Sequence, residues 1–202
     1  MRVKVCGIRR PEDARLAVDL GASAVGFVFW PKSPRAIEPA AVRTITAALP
    51  AAIERVGVFV NQSPDEVRRI VDEAGLTAAQ LHGDEDASDY GTCAAHVIKA
   101  LPVGPGFTLS ALERVPPEMT VLLDAHDPIR RGGTGRTIEW TVAAAAARVR
   151  PVILSGGLTP GNVETAARMV QPYAVDVSSG VEAAPGVKDE SKLRAFFAAL
   201  HA

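Results

Sequence analysis

The chain has 202 residues, 48% hydrophobic and 22% charged, which is enough to bury a substantial core in one globular domain spanning residues 1–202. Its 22 basic and 23 acidic residues are interspersed and leave a formal net charge of −1, so nothing electrostatic favours nucleic acid or an anionic membrane, and a small molecule is the favoured partner. No stretch approaches the roughly 18 apolar residues of a membrane span and residues 1–7 lack a signal-peptide core, so a cytoplasmic location is expected; Cys6 and Cys93 supply neither a disulfide framework nor, without nearby histidine pairs, a zinc site.

Runs rich in Val and Ile alternate along the chain with Ala-rich, charge-bearing stretches of helical periodicity. The pattern predicts strands near residues 3–7, 24–29, 55–60, 78–82, 96–101, 120–125, 151–155 and 174–178. Helices are predicted to begin near residues 11, 39, 63, 85, 109, 138, 160 and 188, the fourth and fifth having the weakest periodicity. Entry signals accompany several of them, as in Pro11-Glu12-Asp13, Ser63-Pro64-Asp65-Glu66 and Thr159-Pro160.

Taken in chain order, the strand ends present few groups able to do chemistry. Lys4 and Cys6 share a face of the first strand, and Cys6, beside Gly7, reads either as a small buried hydrophobe or as a reactive thiol. After the second strand, Pro31 and Pro34 stiffen the loop that carries Arg35, whose natural bidentate partner is a carboxylate and whose alternative is a solvated loop charge. His82 ends the fourth strand, as a proton carrier or as a group satisfying backbone atoms, and Lys99 on the fifth would form a Schiff base only if desolvated. On the sixth, Val121-Leu122-Leu123 leads into Asp124, an expensive place for a carboxyl unless it is paired or used; a cap and a structural ion pair are the alternatives. The following loop, with His126, Asp127, Arg130, Arg131 and Gly132-Gly133-Thr134-Gly135, is a candidate lid. Asp176, within the eighth strand, is expected to organise the mouth rather than to react.

Two turns near the C-terminus are the most informative feature. Ser155-Gly156-Gly157 and Ser178-Ser179-Gly180 each follow a predicted strand and precede a predicted helix. Glycine lets main-chain N–H groups approach a dianion, serine adds a hydroxyl donor, and a helix N-terminus adds its positive end, so consecutive units of this kind form a two-part phosphate cradle. Eight strand–helix repeats predict a (β/α)₈ TIM barrel, whose phosphate sites commonly use the loops after strands seven and eight. An open doubly wound sheet would instead carry its glycine-rich turn after the first strand, where only Gly7 stands. In the barrel, Cys6 and Asp124 lie on non-neighbouring strands and would approach a ligand from different sides, as an acid and a base do.

The ordered blocks Lys4-Val5-Cys6-Gly7, Gly26-Phe27-Val28-Phe29 with Pro31-Lys32-Ser33-Pro34-Arg35, Gln80-Leu81-His82-Gly83, Leu123-Asp124, Gly132-Gly133-Thr134-Gly135, Gly156-Gly157-Leu158 with Pro160 and Asn162-Val163, and Val175-Asp176-Val177-Ser178-Ser179-Gly180-Val181-Glu182 closely resemble the phosphoribosylanthranilate isomerase family. The resemblance implies a cofactor-free Amadori rearrangement in tryptophan biosynthesis. It implies Asp124 as the general acid on the furanose ring oxygen and Cys6 as the base removing the C2 proton. It further implies Arg35 as the holder of the anthranilate carboxylate, and Gly156, Gly157, Ser178, Ser179 and Gly180 as the phosphate cradle. A thiolate base needs a perturber, and Lys4 is the candidate on the same face. Ile138-Glu139-Trp140, Ser155 and Trp30 depart from the family's usual Phe-Asp-Trp, alanine and tyrosine, and none of these removes a proposed catalytic group. Competing readings are a related sugar-phosphate isomerase of histidine biosynthesis, a dual-substrate form, and a non-catalytic barrel that binds a phosphorylated metabolite. No metal is expected, and monomer and homodimer are both open.

Overall fold

A computed structural model describes residues 1–125 and 139–201. The lid residues His126, Asp127, Arg130, Arg131 and 132–135, together with Ile138, lie outside that set. Eight parallel strands close into a barrel in chain order: β1 (Arg2–Val5), β2 (Ala24–Val28), β3 (Glu54–Phe59), β4 (Ala78–Leu81), β5 (His96–Val103), β6 (Thr120–Ala125), β7 (Val152–Leu154) and β8 (Ala174–Val177). Pairing of β1 with β8, with Lys4 opposite Asp176, makes the closure. Strands alternate their faces, and this sorts the core into two parts. Ala24, Val56, Ala78, Ile98, Ala100, Leu122, Ile153 and Ala174 fill the barrel interior. The other face of each strand, with Val5, Phe27, Phe59, Leu81, Leu123, Leu154 and Val175, packs beneath the surrounding segments.

The described residues contain α1 (Pro11–Asp19), α2 (Pro39–Ala47), α3 (Pro64–Ala74), α4 (Trp140–Val149), α5 (Val163–Val170) and α6 (Glu190–His201). Proline opens each of the first three, where its missing N–H has no intrahelical partner to lose. Ser63 caps α3 by accepting the Glu66 N–H, and Gly75 ends it in the left-handed conformation at φ 65°. The entry to α5 comes three residues later than Pro160 suggests, because Asn162 ties the turn: its Oδ1 accepts from the Thr159 N–H and its Nδ2 donates to the Gly157 carbonyl.

The fourth and fifth predicted helices are corrected by the structure. They are short 3₁₀ turns, Ala87–Tyr90 and Leu109–Arg114. The first is hemmed by the Asp86 side chain, which accepts from the Ser88 N–H, and by Gly91. The second is bounded by Pro105-Gly106 and Pro116-Pro117, too short a window to repay helix nucleation. Buried Ala87, Tyr90, Cys93, Leu112, Val115 and Met119 cover the outer faces of the strands instead. Beyond β8, a 3₁₀ turn (Ser179–Val181) leads to a hairpin of β9 (Glu182–Ala184) and β10 (Val187–Lys188) before α6. Among the described residues no helix is long and apolar enough to cross a membrane.

Candidate active site

At the C-terminal ends of the strands the interior turns polar. Asp124, on β6, is 6% exposed; its Oδ1 accepts from the Ala125 N–H at 2.9 Å and its Oδ2 lies 3.1 Å from His82 Nε2. His82 Nδ1 is 2.8 Å from the Gln80 amide nitrogen, so one chain of contacts runs Gln80–His82–Asp124. His82 therefore partners side chains rather than backbone atoms, and the sequence offered no direct signal for that.

Cys6 stands just past β1, pinned by its N–H to the Val177 carbonyl at 2.8 Å. It clusters with Val28 and Val58 beneath Trp30, and this burial pushes its thiol above the ordinary value. Lys4 and Lys188 pull in the other direction without overcoming it, while Asp176 adds to the upward shift. Lys4 thus pulls in the direction expected of the perturber, but burial outweighs it. The Lys4 ammonium is 2.9 Å from Asp176 Oδ1, both side chains being almost fully buried. Desolvation disfavours that ammonium, yet the attraction of Asp176 and Cys6 prevails and raises its pKa. Ser155 Oγ adds a bond to Asp176 Oδ2 at 3.3 Å, so Asp176 organises this layer.

Arg35 is no solvated loop charge. Its Nε and Nη2 donate to Glu182 Oε1 and Oε2 at 2.9 and 2.7 Å, the bidentate fork a guanidinium favours. Buried Lys188 donates to the same Oε1 at 3.0 Å and to the Ser178 carbonyl at 3.2 Å. Desolvation lowers the Lys188 pKa, with Glu182 resisting. Glu182 itself is held below its ordinary value, because Arg35 and Lys188 overcome its desolvation. Glu182 and Lys188 were not singled out as site residues from the sequence; they lie 147 and 153 positions from Arg35, and no local pattern joins them to it.

The two glycine turns meet one another, and they reach Asp124 on one side and Gly7, next to Cys6, on the other. Gly156, at φ 87°, abuts β6: a Cβ there would stand 3.0 Å from Asp124 Oδ1. Gly180 lies against the Leu158 carbonyl so tightly that only glycine fits, which joins the turn after β8 to the turn after β7. A Cβ on Gly7, at φ 76°, would stand 3.0 Å from Ser178 Oγ and 2.7 Å from Arg35 Cδ. Among the described residues the Gly156 and Gly157 N–H groups have no backbone hydrogen bond, so both are open to an anion. Lys99, by contrast, sits outside the barrel interior, its ammonium 2.7 Å from Glu85 and 2.9 Å from the Gly83 carbonyl. No group of three or more His, Cys, Asp or Glu side chains among the described residues is arranged to hold a metal ion.

Residues 3–199 match the family model described as N-(5'-phosphoribosyl)anthranilate (PRA) isomerase. The chain belongs to the N-(5'-phosphoribosyl)anthranilate isomerase family. The isomerase of Pelobacter propionicus is 46% identical over 198 residues, covering 97% of this chain and 93% of the relative. The crystal structure of phosphoribosyl anthranilate isomerase from Thermus thermophilus superposes with a TM-score of 0.91 at 46% identity, covering 100% of this chain and 98% of that one. A further isomerase structure, in complex with reduced 1-(o-carboxyphenylamino)-1-deoxyribulose 5-phosphate, gives 0.87 at 41% identity over 100% and 98%.

Proposed function

We propose that this isomerase converts N-(5-phosphoribosyl)anthranilate to 1-(2-carboxyphenylamino)-1-deoxyribulose 5-phosphate, the Amadori step of tryptophan biosynthesis, acting in the cytoplasm. One observation carries the assignment of residues: the glycine turns abut Asp124 through Gly156, and Gly7, next to Cys6, through Ser178. A phosphate held by Gly156, Gly157, Ser178, Ser179 and Gly180 therefore anchors a sugar with one group on each side.

Asp124 gives its carboxyl proton to the furanose ring oxygen. The C1–O bond breaks with its electron pair going to that oxygen, and the anilino nitrogen's lone pair forms the C1=N bond. Cys6, as thiolate, then removes the C2 proton, and the electrons of the C2–H bond move to give the enolamine, which tautomerises to the ketone. Arg35 takes the anthranilate carboxylate. Because burial pushes the Cys6 thiol up, the thiolate forms against that resistance, with Lys4 and Lys188 stabilising it.

The test is turnover of freshly prepared N-(5-phosphoribosyl)anthranilate, followed by loss of its fluorescence, beside calorimetric binding of the reduced product analogue. The wild type should turn over, whereas Cys6→Ala and Asp124→Ala should lose about 10²–10⁴-fold or more in kcat while still binding the analogue. A folded wild type that binds the analogue without turnover would leave a phosphometabolite-binding barrel. Variants that keep turnover would remove the two residues from the chemistry.

A further inference from the structure

Inside β4, Gln80 is 1% exposed, and only one end of its amide is engaged. Its nitrogen can only donate, so at 2.8 Å from His82 Nδ1 it makes that ring nitrogen an acceptor. The remaining ring proton is then on Nε2, which donates to Asp124 Oδ2 at 3.1 Å. Gln80 Oε1, at the other end, is buried and has no hydrogen-bond partner among the described residues. A buried amide oxygen without a donor is unfavourable, and such exceptions ask for a cause.

Because that end is bonded to nothing among the described residues, the amide can turn without breaking a bond there, and a turn is called for in the other protonation state of the pair. When His82 and Asp124 together take up one proton, a hydrogen stands on the Asp124 carboxyl or on Nε2, and a second stands on Nδ1. Nδ1–H then needs an acceptor. A half-turn of the Gln80 amide about its terminal torsion brings Oε1 to the place of the nitrogen at nearly unchanged volume, and the bond is remade with its direction reversed. We propose that Gln80 is a positioning residue for the acid, donating to Nδ1 when the His82–Asp124 pair is unloaded and accepting from Nδ1 when it holds the proton destined for the furanose ring oxygen. After the carboxyl gives up that proton, the ring proton exchanges through water from Nδ1 to Nε2 and the amide turns back. The inference rests on the reading of Asp124 as the acid. Among the described residues, Lys99 pairs with Glu85, which also accepts from the Gly83 N–H, and, across the barrel beside Cys6, Lys4 pairs with Asp176.

The test is a ¹⁵N titration of the His82 ring in the ligand-free protein, with pH profiles of kcat/KM for wild type, Gln80→Leu and Gln80→Glu. In the wild type, deprotonation should leave the proton on Nε2 alone, and Gln80→Leu should give a mixture of tautomers. Gln80→Leu should also move the alkaline limb of kcat/KM down by about one pH unit, since the loaded pair loses the bond made by a charged ring; Gln80→Glu, if it folds, should move the limb up. A merely structural Gln80 would alter stability and leave both the tautomer and the limb in place, which overturns the proposal, as does a wild-type ring that keeps its proton on Nδ1. The ring titration does not depend on turnover, so an inactive wild type would refute the assigned reaction while the tautomer of the wild-type ring still decides the relay.

Discussion

A guanidinium has two edges that can each hold a carboxylate, and Arg35 spends only one of them on Glu182. Its Nε and one Nη2 hydrogen are engaged, leaving Nη1 and the other Nη2 hydrogen for a second carboxylate end-on. On the proposed reading, in which Arg35 takes the anthranilate carboxylate, Glu182 does not compete with it and fixes the plane in which the two would meet. Lys188 steadies Glu182 from behind. Glu182→Gln keeps the size but loses the charged fork, so KM should rise on the order of tenfold, about 1.4 kcal/mol, with kcat little changed. In an Arg35→Ala background the same substitution should change KM by less than about twofold, because the two residues share one interaction. Equal effects in both backgrounds would mean that Glu182 acts through Lys188 or the hairpin rather than through Arg35.

Where a barrel unit lacks a helix, something else must hold the covering segment. Between β5 and β6 that task falls to Arg150, at the end of α4: its Nη1 donates to the carbonyls of Leu112 and Val115, and its Nη2 to those of Pro116, Pro117 and Met119. These carbonyls lie in a stretch whose prolines preclude regular helix bonding, so removing the clamp leaves several without a donor. Arg150→Ala should destabilise by about 2–4 kcal/mol, lowering the melting temperature by about 4–16 °C, with kcat/KM at low temperature unchanged because the clamp sits at the opposite end of the barrel from Asp124. Loss of activity without loss of stability would contradict this. The same segment marks how far the elements could be read in advance. The eight strands were legible because each is a short apolar run bounded by turns, and Pro11, Pro39 and Pro64 announced the first three helices. The 3₁₀ turns were not, since hydrophobic spacing says which residues face inward but not whether Gly91 or Pro116-Pro117 cuts the helix short. In the candidate site, Cys6, Asp124 and the two glycine turns could be singled out in advance because they sit at strand ends. The pairings His82–Asp124 and Arg35–Glu182 join residues 42 and 147 apart, and only barrel closure brings them together.

Across the whole molecule the two ends of the barrel carry different duties, and pH can separate them. At the strand starts, His96 bridges β3 and β6, with Nδ1 2.6 Å from Glu54 Oε1 and Nε2 2.8 Å from Thr120 Oγ1. At the strand ends, Glu182 joins Arg35 to Lys188. Both carboxylates are desolvated, and in both the partners win: the His96 hydrogen bond and charge, then Arg2 and Lys4, hold Glu54 below its ordinary value, as Arg35 and Lys188 hold Glu182. A carboxyl whose folded pKa is depressed binds its proton more readily in the unfolded chain. Its stabilisation is therefore complete above the ordinary carboxylate pKa and is lost as pH falls through the lower, folded value. Stability measured by urea titration should accordingly decline on the acid side of that ordinary value. Glu54→Gln should flatten part of the decline and leave KM alone, whereas Glu182→Gln should flatten another part and raise KM. If Glu54→Gln shifted KM as well, the two ends of the barrel would be energetically coupled through the interior layer of Lys4 and Asp176; if neither variant changed the slope, these carboxylates would not be the groups that set acid sensitivity.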